Sequence, residues 1–165
     1  MAAKNERSAR LSVLDRLIDN EPKRATEPPP NAAQSLRELK ASLRRDIEWL
    51  FNTRRVIQEP PEGVSELERS LYIYGLPDIG SVGSNATQEY ARLARTMESA
   101  LAIFEPRLRS IRVTPVPASD SLSRVLRFQI EGALRLEPVP EHVRFDTVLE
   151  LTSGEYEVKG EPGAG

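Results

Sequence analysis

The sequence predicts an α+β protein in which two main amphipathic helices pack on one face of a mainly antiparallel sheet, plus a short N-terminal helix. Two observations carry this. Apolar residues recur at helical spacing over 33–56 and 86–104, and beyond about residue 108 the period changes to two. Helices precede strands instead of alternating with them, which separates α+β from α/β. At 165 residues the chain is the size of one ordinary domain with a short appendage.

The first element is "SARLSVLDRLID" (8–19), which sets Leu11, Leu14, Leu17 and Ile18 at helical spacing. Three turns are marginal alone, because nucleation is costly, so this helix needs a surface to pack on. That surface is either its own domain or a partner. Behind it, "NEPKRATEPPPNA" carries Pro22 and Pro28 to Pro30, the composition of a semi-rigid linker. The chain therefore divides into an N-terminal docking helix (1–20), a Pro-rich linker (21–32), an α+β domain (33–159) and a flexible tail (160–165).

In the long helix over 33–56, Leu36, Leu39, Leu43, Ile47 and Leu50 follow 3-4-4-3 spacing, and Phe51 widens the stripe. Arg54 continues the stripe's line in the expected last turn, where a cation suits the helix dipole and a core-edge charge calls for a partner. Trp49 lies off the stripe, so it either packs under another element or marks an interface. Ser65, Glu66, Leu67 and Glu68 read as a capping box opening a short helix. Gly75, Pro77, Gly80 and Gly83 then make a loop that Tyr72, Ile73 and Tyr74 anchor. This loop lacks both the Rossmann fingerprint and a Walker A lysine, so it is no nucleotide site.

The second long helix opens at Asn85 and Gln88 and aligns Tyr90, Leu93, Ala94, Met97, Leu101 and Phe104. It ends at Glu105-Pro106, since a residue before proline is turned away from helical angles. Strands follow. Ile111, Val113 and Pro115 share a face, as do Leu126, Phe128, Ile130, Gly132, Leu134 and Leu136. Val143, Phe145, Leu149 and Leu151 share another, and Tyr156 and Val158 close the set. One-sided alternation joined by short connections is the pattern of an antiparallel sheet with one buried face. Pro115 and Pro117 place the first strand at an edge.

Composition removes several functions. There is no cysteine, hence no disulfide framework, thiolate metal site or Cys nucleophile. A net charge of -2 argues against bulk attraction to nucleic acid. No apolar run reaches the roughly 18–20 residues of a membrane span, and no signal-peptide core is evident at the start. These features predict a cytoplasmic chain without direct membrane insertion. The single histidine, His142, reads as an exposed turn residue instead of the base of a triad, and zinc lacks its ligand set. No cofactor, metal or catalytic residue is expected. Glu105, held beside Phe104, is the acid most open to a catalytic reading, but Arg107 would lower its pKa instead of raising it. The basic pairs Arg44/Arg45 and Arg54/Arg55 are interleaved with acids and read mainly as a solvated or ion-paired face.

Four motifs in order go further: "SVLDRLID" (12–19), "SLRRDIEWLFNTRR" (42–55), "SLYIYGLPDI" (70–79) and "FEPRL" (104–108). Together they resemble the TssE family of type VI secretion baseplate subunits, which is similar to the small lysozyme-like wedge protein of contractile phage baseplates. The likeness covers about 10–150, with Phe51 where the family leads one to expect leucine. It implies a structural role in the wedge with TssF and TssG, near TssK and around the spike hub VgrG. It also implies a platform for the TssB/TssC sheath, with strand addition at a sheet edge, and a position in the baseplate near the inner membrane. Glu105, Pro106 and Arg107 are implied to contact the wedge, and Leu11, Leu14, Leu17, Arg54 and Arg55 complete the expected partner-binding set. The family's label keeps one alternative open, a peptidoglycan-cleaving hydrolase.

Overall fold

The computed structural model describes residues 12–18, 32–56, 61, 63–78, 86–117, 124–136 and 139–160. Leu11, Asn85, most of the expected linker and the tail beyond 160 lie outside them. The elements are α1 (Val13–Leu17), α2 (Ala32–Asn52), α3 (Ala86–Phe104), β1 (Leu108–Val116), β2 (Val125–Leu134), β3 (Glu141–Glu150) and β4 (Tyr156–Lys159), with two 3-10 turns at Ser65–Arg69 and Leu71–Ile73. The strands form one antiparallel sheet in the order β1-β2-β3-β4. The class is α+β, and β1 is an edge strand.

The stripe of α2 is buried at Leu39, Leu43, Ile47, Leu50 and Phe51, and that of α3 at Leu93, Met97 and Leu101. Both join the inward positions of all four strands in one core, from Leu108 and Val113 on β1 to Tyr156 and Val158 on β4. Three local expectations are corrected. The capping box at Ser65 opens a 3-10 turn without a side-chain cap. Leu151, one residue past β3, is exposed instead of lying on the apolar face. Arg54 is not in the last turn of a helix, because α2 stops at Asn52.

The reason for that stop is the loop at 75–76. Arg55 N–H donates to Leu76 O at 2.8 Å and Leu76 N–H to Thr53 O at 2.9 Å, pulling Thr53–Arg55 out of helical register into a bridge. Only glycine allows this. Gly75 has φ of +105°, and a Cβ there would lie 2.2 Å from Thr53 O. Tyr74 stacks edge-on against Phe104 with ring centroids 5.0 Å apart, and Ile73 is buried, so the start of the loop is anchored to the core.

β1 contains a bulge that the alternation did not reveal. Its register against β2 shifts between Arg109 and Arg112, with Ser110 at φ +51°. The extra residue lets Leu108 and Val113, an odd number apart, both point inward.

Both outer edges of the sheet are partly closed by helix side chains. On β4, Asn52 bonds the N–H and C=O of Tyr156, both at 2.8 Å. Glu48 accepts from Val158 N–H at 3.0 Å, and Arg44 donates to Val158 O at 3.3 Å. These three residues are spaced i, i+4, i+8, one face of α2 lying along the strand. On β1, Glu98 of α3 accepts from Val113 N–H at 2.7 Å, and Pro115 has no N–H to offer.

Candidate functional site: the corner between α3 and β1

Pro106 ends α3, and the chain turns at once into β1 through Leu108 N–H to Glu105 O at 3.1 Å. Glu105 points inward and is 5% exposed. A buried carboxylate is costly unless paired, and Arg107 supplies the pair as a fork. Its Nε donates to Oε1 at 2.6 Å and an Nη to Oε2 at 2.5 Å. The same guanidinium reaches α2, donating to Asp46 Oδ2 at 2.6 Å and to Ser42 Oγ at 3.1 Å. One arginine thus ties the helix-to-strand corner to the middle of the long helix.

The network continues outward. Asp46 also accepts from Arg45, at 2.9 and 3.1 Å, and Arg45 lies 2.8 Å from Asp15 of α1. Asp15 further accepts from the hydroxyls of Ser12, at 2.5 Å, and Ser42. Three acids and two arginines alternate in the chain Glu105–Arg107–Asp46–Arg45–Asp15. Burial works against ionising Asp15, but the bonds from Ser12, Ser42 and Arg45 outweigh it and hold its carboxyl at about 2. Burial likewise works against charging Arg107, yet Glu105 and then Asp46 raise its pKa further above the usual arginine range.

α1 is therefore seated on its own domain by a polar residue, with its apolar side chains turned out. Val13 is 71%, Leu14 44% and Leu17 77% exposed. Beside it, Arg45 lies over the face of Trp49 at 4.9 Å, and Trp49 itself is half-exposed. Val13, Trp49, Tyr74, Phe104 and Pro106 wall a cleft of 510 Å³, with Asp46, Glu105 and Arg107 at its polar side. Of the expected partner-binding residues, Pro106 is exposed at this cleft and Leu14 and Leu17 are exposed on α1, whereas Glu105 and Arg107 are engaged with each other. Arg54 and Arg55 lie away from this cleft at the loop bridge. The Arg54 side chain is 75% exposed with Asp78 at 3.6 Å.

Ser42 and Asp15 belong to no motif that singles them out, and Asp46 is marked in the sequence only as an acid interleaved with the basic pair Arg44/Arg45. The available signal was their placement: Ser42 and Asp46 stand one helical turn apart in "SLRRDI", and Asp15 interrupts the apolar run of α1. Among the described residues no group of three or more His, Cys, Asp or Glu could hold a metal ion. His142 is exposed on β3. As it stands, the corner can do little acid–base chemistry, since both oxygens of Glu105 are taken by a guanidinium that does not give up its proton. What it can do is present a rigid, partly apolar surface.

Residues 37–139, from the first half of α2 to just before β3, match the sequence profile of the baseplate wedge protein gp25 family. No curated protein matches the chain. Among solved structures, a chain of the baseplate complex from the type VI secretion system is similar, with 21% identity and a TM-score of 0.45 over 67% of this chain and 93% of that one.

Proposed function

The chain belongs to the baseplate wedge protein gp25 family, and from that premise we propose that it is a non-catalytic structural subunit of a type VI secretion baseplate. In this reading it joins TssF and TssG in the wedge, lies near TssK and the VgrG hub, and supplies the platform on which the TssB/TssC sheath starts. Strand addition at a sheet edge is the mode of the sheath contact. The motifs shared with the TssE family support the secretion-system assignment, and a cytoplasmic position at the inner membrane follows from it. Among the described residues no helix is long and apolar enough to cross a membrane.

The observation that carries the structural reading is the state of Glu105. It is the acid most open to a hydrolase reading, and it is 5% exposed with its carboxylate bound edge-on by Arg107. Glu105 and Arg107 shape the corner, and the surface a partner touches is Pro106 with Trp49 and the outward leucines of α1. Aromatic and apolar groups around a partly desolvated pocket are the composition of an interface anchor.

Co-expression with TssF and TssG tests this. Pro106→Asp, at an exposed position, is expected to abolish co-purification while leaving the melting temperature near that of the parent. Deletion of residues 1–20 is expected to weaken it. Normal recovery of the Pro106→Asp protein in the wedge would remove the docking role. Peptidoglycan hydrolysis by the purified chain, lost in a folded Glu105→Gln variant, would establish the hydrolase instead.

A further inference from the structure

Part of the outer edge of β3 has no described strand beside it. β4 stops at Lys159, opposite Asp146, while β3 runs on five residues to Glu141. Tyr156 and Val158 turn their main-chain groups to the outer edge, where Asn52, Glu48 and Arg44 bond them. Glu157 and Lys159 therefore pair with β3, opposite Val148 and Asp146. By the same alternation the next β3 residues facing that side are Arg144 and His142. The side-chain caps on Tyr156, Val158 and Val113 do not extend here, where by that alternation the N–H and C=O groups of Arg144 and His142 face a notch.

The notch is a cleft of 540 Å³ between β3 and the first half of α2. Its apolar floor is Ala41, Val143 and Phe145, and its walls carry Arg37, Lys40, Arg44, Arg144 and Lys159. Among the described residues no carboxylate lines it. Three acids stand beside it: Glu141 bonds Lys40 at 3.4 Å, Asp146 lies 3.7 Å from Arg144 and Glu157 3.1 Å from Lys159. This concentration of positive charge stands on a chain whose net charge is -2.

We propose that the notch beyond β4 is a docking site for an extended, acidic segment of a protein partner, which pairs with the main chain of Arg144 and His142 and continues the line of β4. The proposal rests on the strand-addition part of the function proposed above and gives it a place and a charge. Main-chain pairing supplies the attachment, and the cation-lined walls select Asp and Glu side chains. Arg44 belongs to both features, since it caps Val158 and borders the notch.

The test uses the full chain and a fluorescein-labelled decapeptide alternating Glu with Val. Anisotropy is expected to show saturable binding that weakens with salt, and hydrogen exchange is expected to show protection at the amides of Arg144 and His142. Arg37→Glu and Lys159→Glu, both at exposed positions, are each expected to weaken binding on the order of tenfold. N-methylation of alternate peptide amides is expected to abolish it. Equal binding of a Lys/Val peptide, full binding of the N-methylated peptide, or no binding at all would overturn the proposal. So would self-association of the chain with the same amides protected, which would assign the notch to a second copy. Binding seen only after removal of residues 161–165 would assign it to the chain's own end. Pro106→Asp is expected to leave the peptide affinity unchanged, so failure of the wedge contact and failure of the notch are read separately.

Discussion

Replacing Arg107 by Met keeps most of the side chain's bulk and removes its charge. Four hydrogen bonds to side chains go with it, two to Glu105 and one each to Asp46 and Ser42. Glu105 is left 5% exposed with one poor donor, the Arg107 main-chain N–H at 3.3 Å. Removing one partner of a buried pair costs about 3–5 kcal/mol, because the other charge stays buried. Here the Arg107 and Asp46 side chains are 20% and 23% exposed, so water reaches one side and the lower end, about 3 kcal/mol, applies. With a urea m-value of about 2 kcal/mol/M, the midpoint is expected to fall by roughly 1.5 M at unchanged m. A second arm adds Glu105→Gln to Arg107→Met. Once the stranded charge is gone, at least about 1.5 kcal/mol should return as a coupling energy. A single variant within about 0.5 kcal/mol of the parent, or a double variant whose losses simply add, would refute the view that this pair holds the corner. Arg107 is consequently a poor probe of docking: a charge reversal there would add a fourth acid to the network and unsettle it.

Asp15 ties α1 down, and its carboxyl is held at about 2 against a usual 3.8. A depressed acid stabilises above its unfolded pKa, so the contribution is complete above about pH 4 and is lost as pH falls through about 2. After screening by solvent it amounts to about 1–2 kcal/mol, and the protection of the α1 amides relative to their intrinsic exchange rates, measured from pH 6 to 2, should fall in that window while that of β2 holds. Gly75→Ala meets both a positive φ and Thr53 O at 2.2 Å; a loss of roughly 3 kcal/mol is expected in urea titration, and a loss below about 1 would mean the loop can move. Thr147 is fully buried on the core face of β3, and its hydroxyl has no partner among the described residues. Thr147→Val is expected to raise stability by about 1 kcal/mol, whereas a lower urea midpoint would reveal a bond that the hydroxyl makes.

Much of the architecture was legible because it depends on periodicity, which the sequence carries residue by residue. The 3-4-4-3 leucines of α2 and the alternation over β2 and β3 each specify a face without reference to any other element. What escaped depends on contacts between distant segments. The end of α2 is set by Gly75 and Leu76 reaching back to Thr53, and no helix-stop residue marks Asn52. The bulge at Ser110 is encoded only as an odd spacing between Leu108 and Val113, visible once both are known to be buried. Thr147 stands at an inward position that a polarity pattern assigns to the surface.

The candidate site shows the same division, and it changes what Glu105-Pro106-Arg107 means. Adjacent opposite charges beside a proline could be read as a surface contact or an internal corner, because local sequence does not say which way Glu105 points. Its burial decides between them. An acid that faces inward needs a cation within the fold, and an arginine two residues away can serve only if the chain turns back on itself, as it does where Leu108 N–H bonds Glu105 O. Having closed that pair, Arg107 still has donors free, and Asp46 and Ser42 take them across 61 and 65 residues of sequence. Ser42 and Asp46 are in turn the points through which α1 is reached. The triplet and the N-terminal helix, two separate candidates in the sequence, are thus two ends of one charge relay across α2. A partner that seats on Pro106 and the outward leucines of α1 meets a surface whose parts are already fixed relative to one another. Binding it need not spend energy on ordering them.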